Sequence, residues 1–194
     1  AHADVFEVLS SAAKLVEAKP LKAMGRFNHE AAAVDPKTGI VYMTEDRKDS
    51  LFYRFIPKVF GKLELGGTLQ ALSIKGQTKF DSRNWRNISI TKETWLETEW
   101  ITLDDVESPK DDLRERGFGQ GAALFARGEG IHWGDQELYF CCTNGGAKKL
   151  GQVMRYQPSP FEGSEQETQQ PGRIQLFFES EHESLYNFGD NLTV

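Results

Sequence analysis

The feature that most constrains the fold of this chain is a repeated pattern of short strands and turns. In the first copy the turn Asp35-Pro-Lys-Thr-Gly39 has a proline that presets φ and a glycine that accepts a positive φ, as a hairpin requires. β-Branched and aromatic residues dominate the flanking segments, as expected for strands. The pattern predicts an antiparallel meander, with strands over 30–35, 40–44, 50–56 and 69–74.

The pattern returns in the second half of the chain. Its second copy predicts four strands, over 129–133, 137–142, 152–156 and 173–179. An acidic residue, Glu30 or Glu129, opens the first strand of each copy, and the last residues, Asp190–Val194, look like the opening of a third. A repeated four-strand unit predicts an all-β fold, a partial β-propeller of about two and a half blades. Because a propeller ring needs at least about four blades, we expect residues 1–194 to form a single partial domain, an internal fragment of a longer chain.

Three further segments carry structural predictions. Residues 88–103 alternate and predict an inserted hairpin or extended arm, and residues 109–125 predict a short helix with acidic residues near its start. Near the N-terminus, residues 5–8 and 21–27 predict the outer strands of a preceding blade, since Pro20 would break a continuous helix.

The composition excludes several classes of partner. The net charge is −6 and the acidic and basic residues are interspersed, so the chain lacks the basic stripe that nucleic acid requires. No apolar run reaches the length of a membrane span, and the first residues lack the pattern of a signal peptide. Cys141 and Cys142 are adjacent on one predicted strand and point to opposite faces, so they cannot both bind one metal ion. We expect them to be buried apolar residues.

The acidic residues that open the inner strands are the candidate site. Inner strands line the channel of a propeller, so Glu30, Glu129, Asp190 and Asn191 are expected to converge, and their oxygens suit a hard cation such as Ca²⁺. The alternative is that each is a solvated turn residue. His29 should face away from Glu30, whereas Asn28 shares its face and is the better co-ligand.

The remaining charged residues near these acids allow two interpretations. Arg26, Arg47 and Arg127 could each clamp an oxyanion, or could form ordinary salt bridges. Glu45 and Asp46 end a strand and read most simply as an acidic pair at a turn. The chain contains no nucleophile motif of the GxSxG type, no P-loop and no dinucleotide fingerprint.

Several of these segments also resemble a known family, the PhoX-type alkaline phosphatases. They are GRFNHEAAAVDPKTGIVYMTEDRKDSLFYRFIP, ALFARGEGIHW, ELYFCCTNGGAKKLGQVMRYQP and the terminal DNLTV. The resemblance implies a six-bladed propeller whose central Ca²⁺ and Fe³⁺ ions support the hydrolysis of phosphomonoesters. It also implies a periplasmic or secreted enzyme exported by the twin-arginine route, and we expect a monomer.

Residue by residue, the resemblance places Glu30 and Glu129 at metal-ligand positions, and Asp190 and Asn191 at the start of the next inner strand. We interpret Arg127 as the catalytic partner of the phosphate oxyanion. The family's cysteine followed by acidic residues has no counterpart here, since Cys141 and Cys142 lie in a different strand.

The sequence therefore supports one main hypothesis and two alternatives. The main hypothesis is a fragment of a metal-dependent phosphomonoesterase, inactive as an isolated chain because much of the ring and several ligands are missing. A calcium-dependent lactonase of the gluconolactonase type also uses Glu and Asn on inner strands, and a propeller can serve binding without catalysis. Iron bound beside calcium favours the phosphatase, and calcium alone favours the lactonase.

Overall fold

The computed structural model describes residues 3–194, which form nine strands and one α-helix. The strands are β1 (His29–Val34), β2 (Val41–Glu45), β3 (Phe52–Pro57), β4 (Gly67–Ile74), β5 (Leu96–Thr102), β6 (Gly128–Trp133), β7 (Leu138–Cys142), β8 (Gln152–Gln157) and β9 (Arg173–Glu179). The helix is α1 (Leu113–Gln120), and short 3₁₀ turns lie at Lys22–Met24, Leu63–Leu65 and Glu165–Gln169.

The strands form two antiparallel meanders, β1–β4 and β6–β9, as the repeated pattern predicts. Strand β5 pairs with β4 on one side and with β9 on the other, so the two meanders become one sheet of nine strands. The two end strands, β1 and β6, contact each other, and the sheet nearly closes on itself. The all-β class and both four-strand units are confirmed.

Three segments differ from the sequence prediction. The hairpin expected over 88–103 contains a single strand, β5, because both of its edges are hydrogen-bonded to other strands. The N-terminal strands are replaced by the isolated bridges Ala3–Phe27 and Phe6–Pro20. Asp190–Val194 forms no regular strand in the described chain, although the amide of Gly130 donates to the carbonyl of Asp190 at 2.8 Å.

The predicted helix is confirmed, and its glycines explain its position. A Cβ atom at Gly117 would lie 2.7 Å from a methyl group of Leu51, so only glycine allows α1 to lie this close to the first meander. The helix is followed by Gly121, whose φ of 120° is a conformation that glycine adopts readily and residues with side chains rarely do. Within residues 3–194, no helix has both the length and the hydropathy needed to cross a membrane.

One face of each meander packs against the other to form the main core. Phe52 of β3 stacks on Phe140 of β7 with ring centroids 4.3 Å apart, and Tyr42 and Tyr156 lie beside them. Cys142 belongs to this core, and both cysteines are buried and free, as predicted. Stacked and edge-on aromatic contacts add to the stabilisation that burial alone supplies.

The other face of the first meander is also covered. Met43 and Tyr53 point away from the main core and pack against Met24 and Phe27 of the N-terminal segment and Leu113 of α1. Strand β2 is therefore buried along its whole length, on both faces. Val41 and Met43 face the N-terminal segment and α1, whereas Tyr42 between them faces the main core, so consecutive apolar residues of β2 serve two layers.

A buried ion-pair network joins the two meanders at the base of the core. Arg54 of β3 donates to Glu162 at 2.6 Å, and the same carboxylate oxygen accepts from the hydroxyls of Tyr42 at 3.0 Å and Tyr156 at 2.8 Å. Arg54 also binds Glu167, and its guanidinium lies 4.3 Å from the ring centre of Trp100. Such a network is stabilising only while every charge keeps its partner.

Glu45, the last residue of β2, is a second buried charge with fewer partners. Its Oε2 atom accepts hydrogen bonds from Tyr53 at 2.9 Å and from the amide of Leu51 at 3.2 Å, while Oε1 is buried and unpaired. Burial raises the pKa of Glu45 to about 7. Its carboxyl group therefore titrates near neutral pH in the folded protein.

We expect Arg54→Ala to lower the free energy of unfolding by about 3–5 kcal/mol, because it leaves the buried carboxylate of Glu162 and the partly buried carboxylate of Glu167 without their cation. Chemical denaturation of the chain measures this change. Lys75→Ala is the matched control, because the Lys75–Glu97 pair is exposed and should contribute less than about 1 kcal/mol. Equal losses in the two variants would contradict a stabilising role for the network.

The raised pKa of Glu45 predicts a pH-dependent stability. Between the ordinary value of 4.5 and about 7, the folded state holds a proton that the unfolded chain releases, so stability falls as pH rises through this range. Between pH 4.5 and pH 8 the wild-type protein should lose about 3 kcal/mol more free energy of unfolding than Glu45→Gln does. Chemical denaturation of both proteins at the two pH values measures this difference.

The exposed residue Glu64 provides the control for this titration. Glu64→Gln should follow the wild-type pH profile. A Glu45→Gln profile parallel to that of the wild type would show that Glu45 does not titrate in this range.

Candidate metal centre

Glu30 and Glu129 occupy corresponding irregularities in β1 and β6, the two end strands of the sheet. The register of β1 against β2 shifts between His29 and Ala32, and the register of β6 against β7 shifts between Gly128 and Ile131. A bulge of this kind bends a strand and redirects a side chain, and bulges often lie beside active sites. Both glutamates therefore leave the regular alternation of their strands at the same end of the fold.

The side chain of Thr44 ties the two bulges together. Its hydroxyl donates to the carbonyl of Glu129 at 2.6 Å and accepts from the amide of Ala31 at 3.1 Å. Thr44 is buried on β2, so the hydrogen bonds from one side chain fix the spacing of β1 and β6. Because Thr44 bonds the backbone of Glu129 and of Ala31, the residue after Glu30, it sets the backbone positions from which both glutamate side chains extend.

The carboxylates of Glu30, Glu129 and Asp190 converge. Each offers an oxygen atom, and these three atoms lie within 4.8 Å of one another. Glu129 is buried, whereas Glu30 and Asp190 are exposed. Carboxylates at this spacing can share a bound cation.

The glycines of the Arg127–Gly130 segment allow this convergence. A Cβ atom at Gly130 would lie 2.7 Å from the Oδ1 atom of Asn191 and from the carbonyl of Asp190, so a side chain there would push the 190–191 segment away. A Cβ atom at Gly128 would lie 3.2 Å from the Cβ of Thr44. Glycine at both positions lets two neighbouring segments approach Glu129.

The electrostatics of the cluster favour a proton or a cation. Burial, and then the charges of Asp46 and Glu30, raise the pKa of Glu129 to about 8. Within the described residues, Arg127 is the cation that forms an ion pair with the cluster, at 3.1 Å from Glu129, and it also pairs at 2.6 Å with Asp46, a fourth carboxylate beside the cluster. One positive charge among four carboxylates leaves an excess of negative charge, which a hard cation would neutralise.

Arg127 has a constrained backbone and an occupied side chain. Its φ is +54°, a left-handed conformation that is uncommon for a residue with a side chain. Its amide donates to the carbonyl of Arg47 at 2.8 Å, and its carbonyl accepts from Thr143 at 3.0 Å. Hydrogen bonds to Asp46 raise its pKa above the usual value, so the guanidinium stays charged.

The other predicted site residues lie in different environments. Asn191 reaches the cluster only as the neighbour of Asp190 against Gly130. His29 stacks on Phe27 at 3.5 Å and its Nε2 lies 2.9 Å from the carbonyl of Gly25, and burial lowers its pKa. His29 is thus a packing residue, as its strand position predicts. The amide nitrogen of Asn28 donates to the carbonyl of Asp46 at 2.8 Å.

Sequence reasoning missed two residues of this centre. Its position after a strand favours an acidic pair at a turn for Asp46, whereas in the structure Asp46 accepts two hydrogen bonds from Arg127. Thr44 is the last residue of the predicted strand 40–44, and nothing in its local sequence indicates that it links β1 and β6. The signal that could have found Asp46 is its place one residue beyond the strand beside Glu30, at the same end as Arg127.

A separate cleft lies at the opposite end of β1 and β6. It has a volume of about 700 Å³ and is lined by residues that include Asp35, Trp133, Pro158 and Arg173. Neither Glu30 nor Glu129 reaches it. The carboxylate cluster and the cleft are therefore distinct features of the fold.

Comparisons with known proteins agree with this architecture. The sequence profile of the family described as alkaline phosphatase PhoX matches residues 1–193. No curated protein sequence matches the chain. A solved structure, Pseudomonas fluorescens PhoX in complex with vanadate, a transition state analogue, superposes with a TM-score of 0.53 at 19% sequence identity. The match covers 80% of this chain and 32% of the Pseudomonas chain, and at this identity it shows a shared fold.

Proposed function

We propose a metal-dependent phosphomonoesterase function for this chain, because the chain belongs to the alkaline phosphatase PhoX family. The observation that carries the proposal is the convergence of three carboxylates, from Glu30, Glu129 and Asp190, at one end of the two inner strands. An oxygen-rich centre of this kind fits Ca²⁺ and Fe³⁺, which are hard cations. The same residues would be poorly suited to phosphate binding without a cation, since like charges repel.

In this proposal each residue has a defined role. Glu30, Glu129 and Asp190 hold the cations, and Asn191 adds an amide oxygen. When bound, such cations neutralise phosphate oxygens and activate water for hydrolysis. Arg127 stays charged beside the cluster and donates hydrogen bonds to a phosphate oxygen, which suits the planar geometry of its guanidinium. Thr44 keeps the two glutamates at a fixed distance.

The wider assignment follows the same family membership. The chain spans 32% of the length of the matched Pseudomonas structure, so we propose that residues 1–194 form part of a larger propeller domain with six blades. We also propose that the enzyme acts on phosphomonoesters as a monomer, in the periplasm or outside the cell.

The first prediction concerns phosphate release from an aryl phosphate by the chain extended to its natural ends. With calcium and iron supplied, we expect turnover that a chelator abolishes. Glu30→Gln should lower the rate at least about 100-fold, because it removes a charged ligand from the centre. A colorimetric assay for inorganic phosphate, with metal content measured on the same samples, tests this expectation.

Glu64→Gln is the matched control for this assay, since Glu64 is exposed and lies in the 3₁₀ turn Leu63–Leu65 between β3 and β4. It should leave turnover unchanged. A folded, metal-loaded protein that releases no phosphate but opens a lactone ring would contradict the phosphatase assignment. Binding of calcium without iron would also favour the lactonase over the phosphatase.

The second prediction concerns residues 1–194 alone. We expect this chain to fold but to release phosphate at no more than about one thousandth of the rate of the extended protein. A cation held by three carboxylates and one amide oxygen still lacks about a third to a half of the six to eight oxygen ligands that Ca²⁺ takes. The comparison uses equal molar amounts of the two proteins. Turnover at equal rates would mean that the described cluster is a complete active site.

A further inference from the structure

Asp46 contacts Arg127 in a geometry that fixes the orientation of the guanidinium. The Nε atom of Arg127 donates to Oδ1 of Asp46 at 2.6 Å, and Nη2 donates to Oδ2 at 3.0 Å. Two parallel hydrogen bonds between a guanidinium and a carboxylate set the plane of the guanidinium as well as its distance. Nη2 also donates to Oε1 of Glu129 at 3.1 Å.

The backbone around Asp46 is held as firmly as its side chain. The amide of Asp46 donates to the carbonyl of Asn28 at 3.1 Å, and the side-chain amide of Asn28 donates to the carbonyl of Asp46 at 2.8 Å. Asn28 lies two residues before Glu30, so Asp46 is tied to the strand that carries this glutamate. The amide of Arg127 in turn donates to the carbonyl of Arg47.

These contacts leave one corner of the guanidinium available. Within residues 3–194, Nε and Nη2 of Arg127 have carboxylate partners, and Nη1 has none. The side chain is 35% exposed, so this corner can reach a ligand from solvent. An arginine whose other nitrogens are occupied presents its free donor in a fixed direction, with less loss of entropy on binding.

We propose that Asp46 is a positioning residue, which holds Arg127 so that Nη1 donates to the phosphate of the substrate. This inference rests on the proposed phosphatase function and assigns Asp46 a role that acts through Arg127. Asp46 supplies orientation, and Arg127 supplies the contact with the oxyanion. The strained φ of +54° at Arg127 fits this role, because such strain persists where neighbouring contacts impose it.

The test is kinetic and uses the metal-loaded protein extended to its natural ends. We expect Asp46→Asn to lower kcat/KM about 10- to 100-fold, because the second acceptor and the charge that orient Arg127 are weakened. The inhibition constant of inorganic phosphate should rise in parallel, and bound calcium and iron should be unchanged. Asp49→Asn is the matched control from the same turn, and it should leave these values as in the wild type.

A double-mutant cycle separates positioning from other roles. If Asp46 acts through Arg127, then Asp46→Asn should change kcat/KM by less than about threefold in an Arg127→Ala background. Effects that multiply in the double variant would overturn the proposal. Loss of calcium or iron in Asp46→Asn would also overturn it, because Asp46 would then be a metal ligand.

Failure of the phosphatase assignment can be distinguished from failure of the Asp46 proposal. If the extended wild-type protein releases no phosphate, the phosphatase assignment fails first, and calorimetric titration of the metal-loaded protein with inorganic phosphate then tests Asp46 alone. Weaker phosphate binding by Asp46→Asn with unchanged metal content would support the positioning role. Equal phosphate binding by variant and wild type would reject it.

Discussion

The contact between the two meanders is the constraint on which the rest of the structure depends. Phe52 stacks on Phe140 at its centre, and the ring of Tyr156 packs beside them. This packing brings the two end strands β1 and β6 side by side, although 99 positions separate the glutamates that they carry. Without it, Glu30 and Glu129 would lie far apart, at the two ends of one nine-stranded sheet. The hydrophobic core therefore builds the charged centre.

Charges are paired at one end of the fold, whereas carboxylates are in excess at the other end. At the base, Arg54 meets Glu162 and Glu167 in a network in which these charges have partners. At the other end, Arg127 is the one ion-pairing cation that the described chain supplies to a cluster of carboxylates. The first arrangement stabilises the junction of the meanders, whereas the second retains unbalanced negative charge. Unbalanced charge of this kind costs stability and is characteristic of binding sites.

Local backbone features at the centre are matched to this charge. Bulges at corresponding positions of β1 and β6 redirect the glutamates, and Gly128 and Gly130 allow neighbouring segments to approach. Arg127 lies between these features with a positive φ. The short sequence RGEG, residues 127–130, thus combines a constrained cation, a buried carboxylate and two close backbone contacts. Each of its four residues makes a different contribution to the centre.

The sequence by itself determined the strand order of both meanders, the helix, the burial of the cysteines and the identity of the converging acids, because alternation, turn residues and repetition are local signals. The tertiary structure alone decided that β5 joins the meanders and that Asp46 holds Arg127 across 81 positions of chain. It also decided that Arg54, a lone charge in an aromatic strand, has partners more than 100 positions away. Such contacts depend on how distant segments pack in three dimensions, and no local pattern of residues encodes that packing.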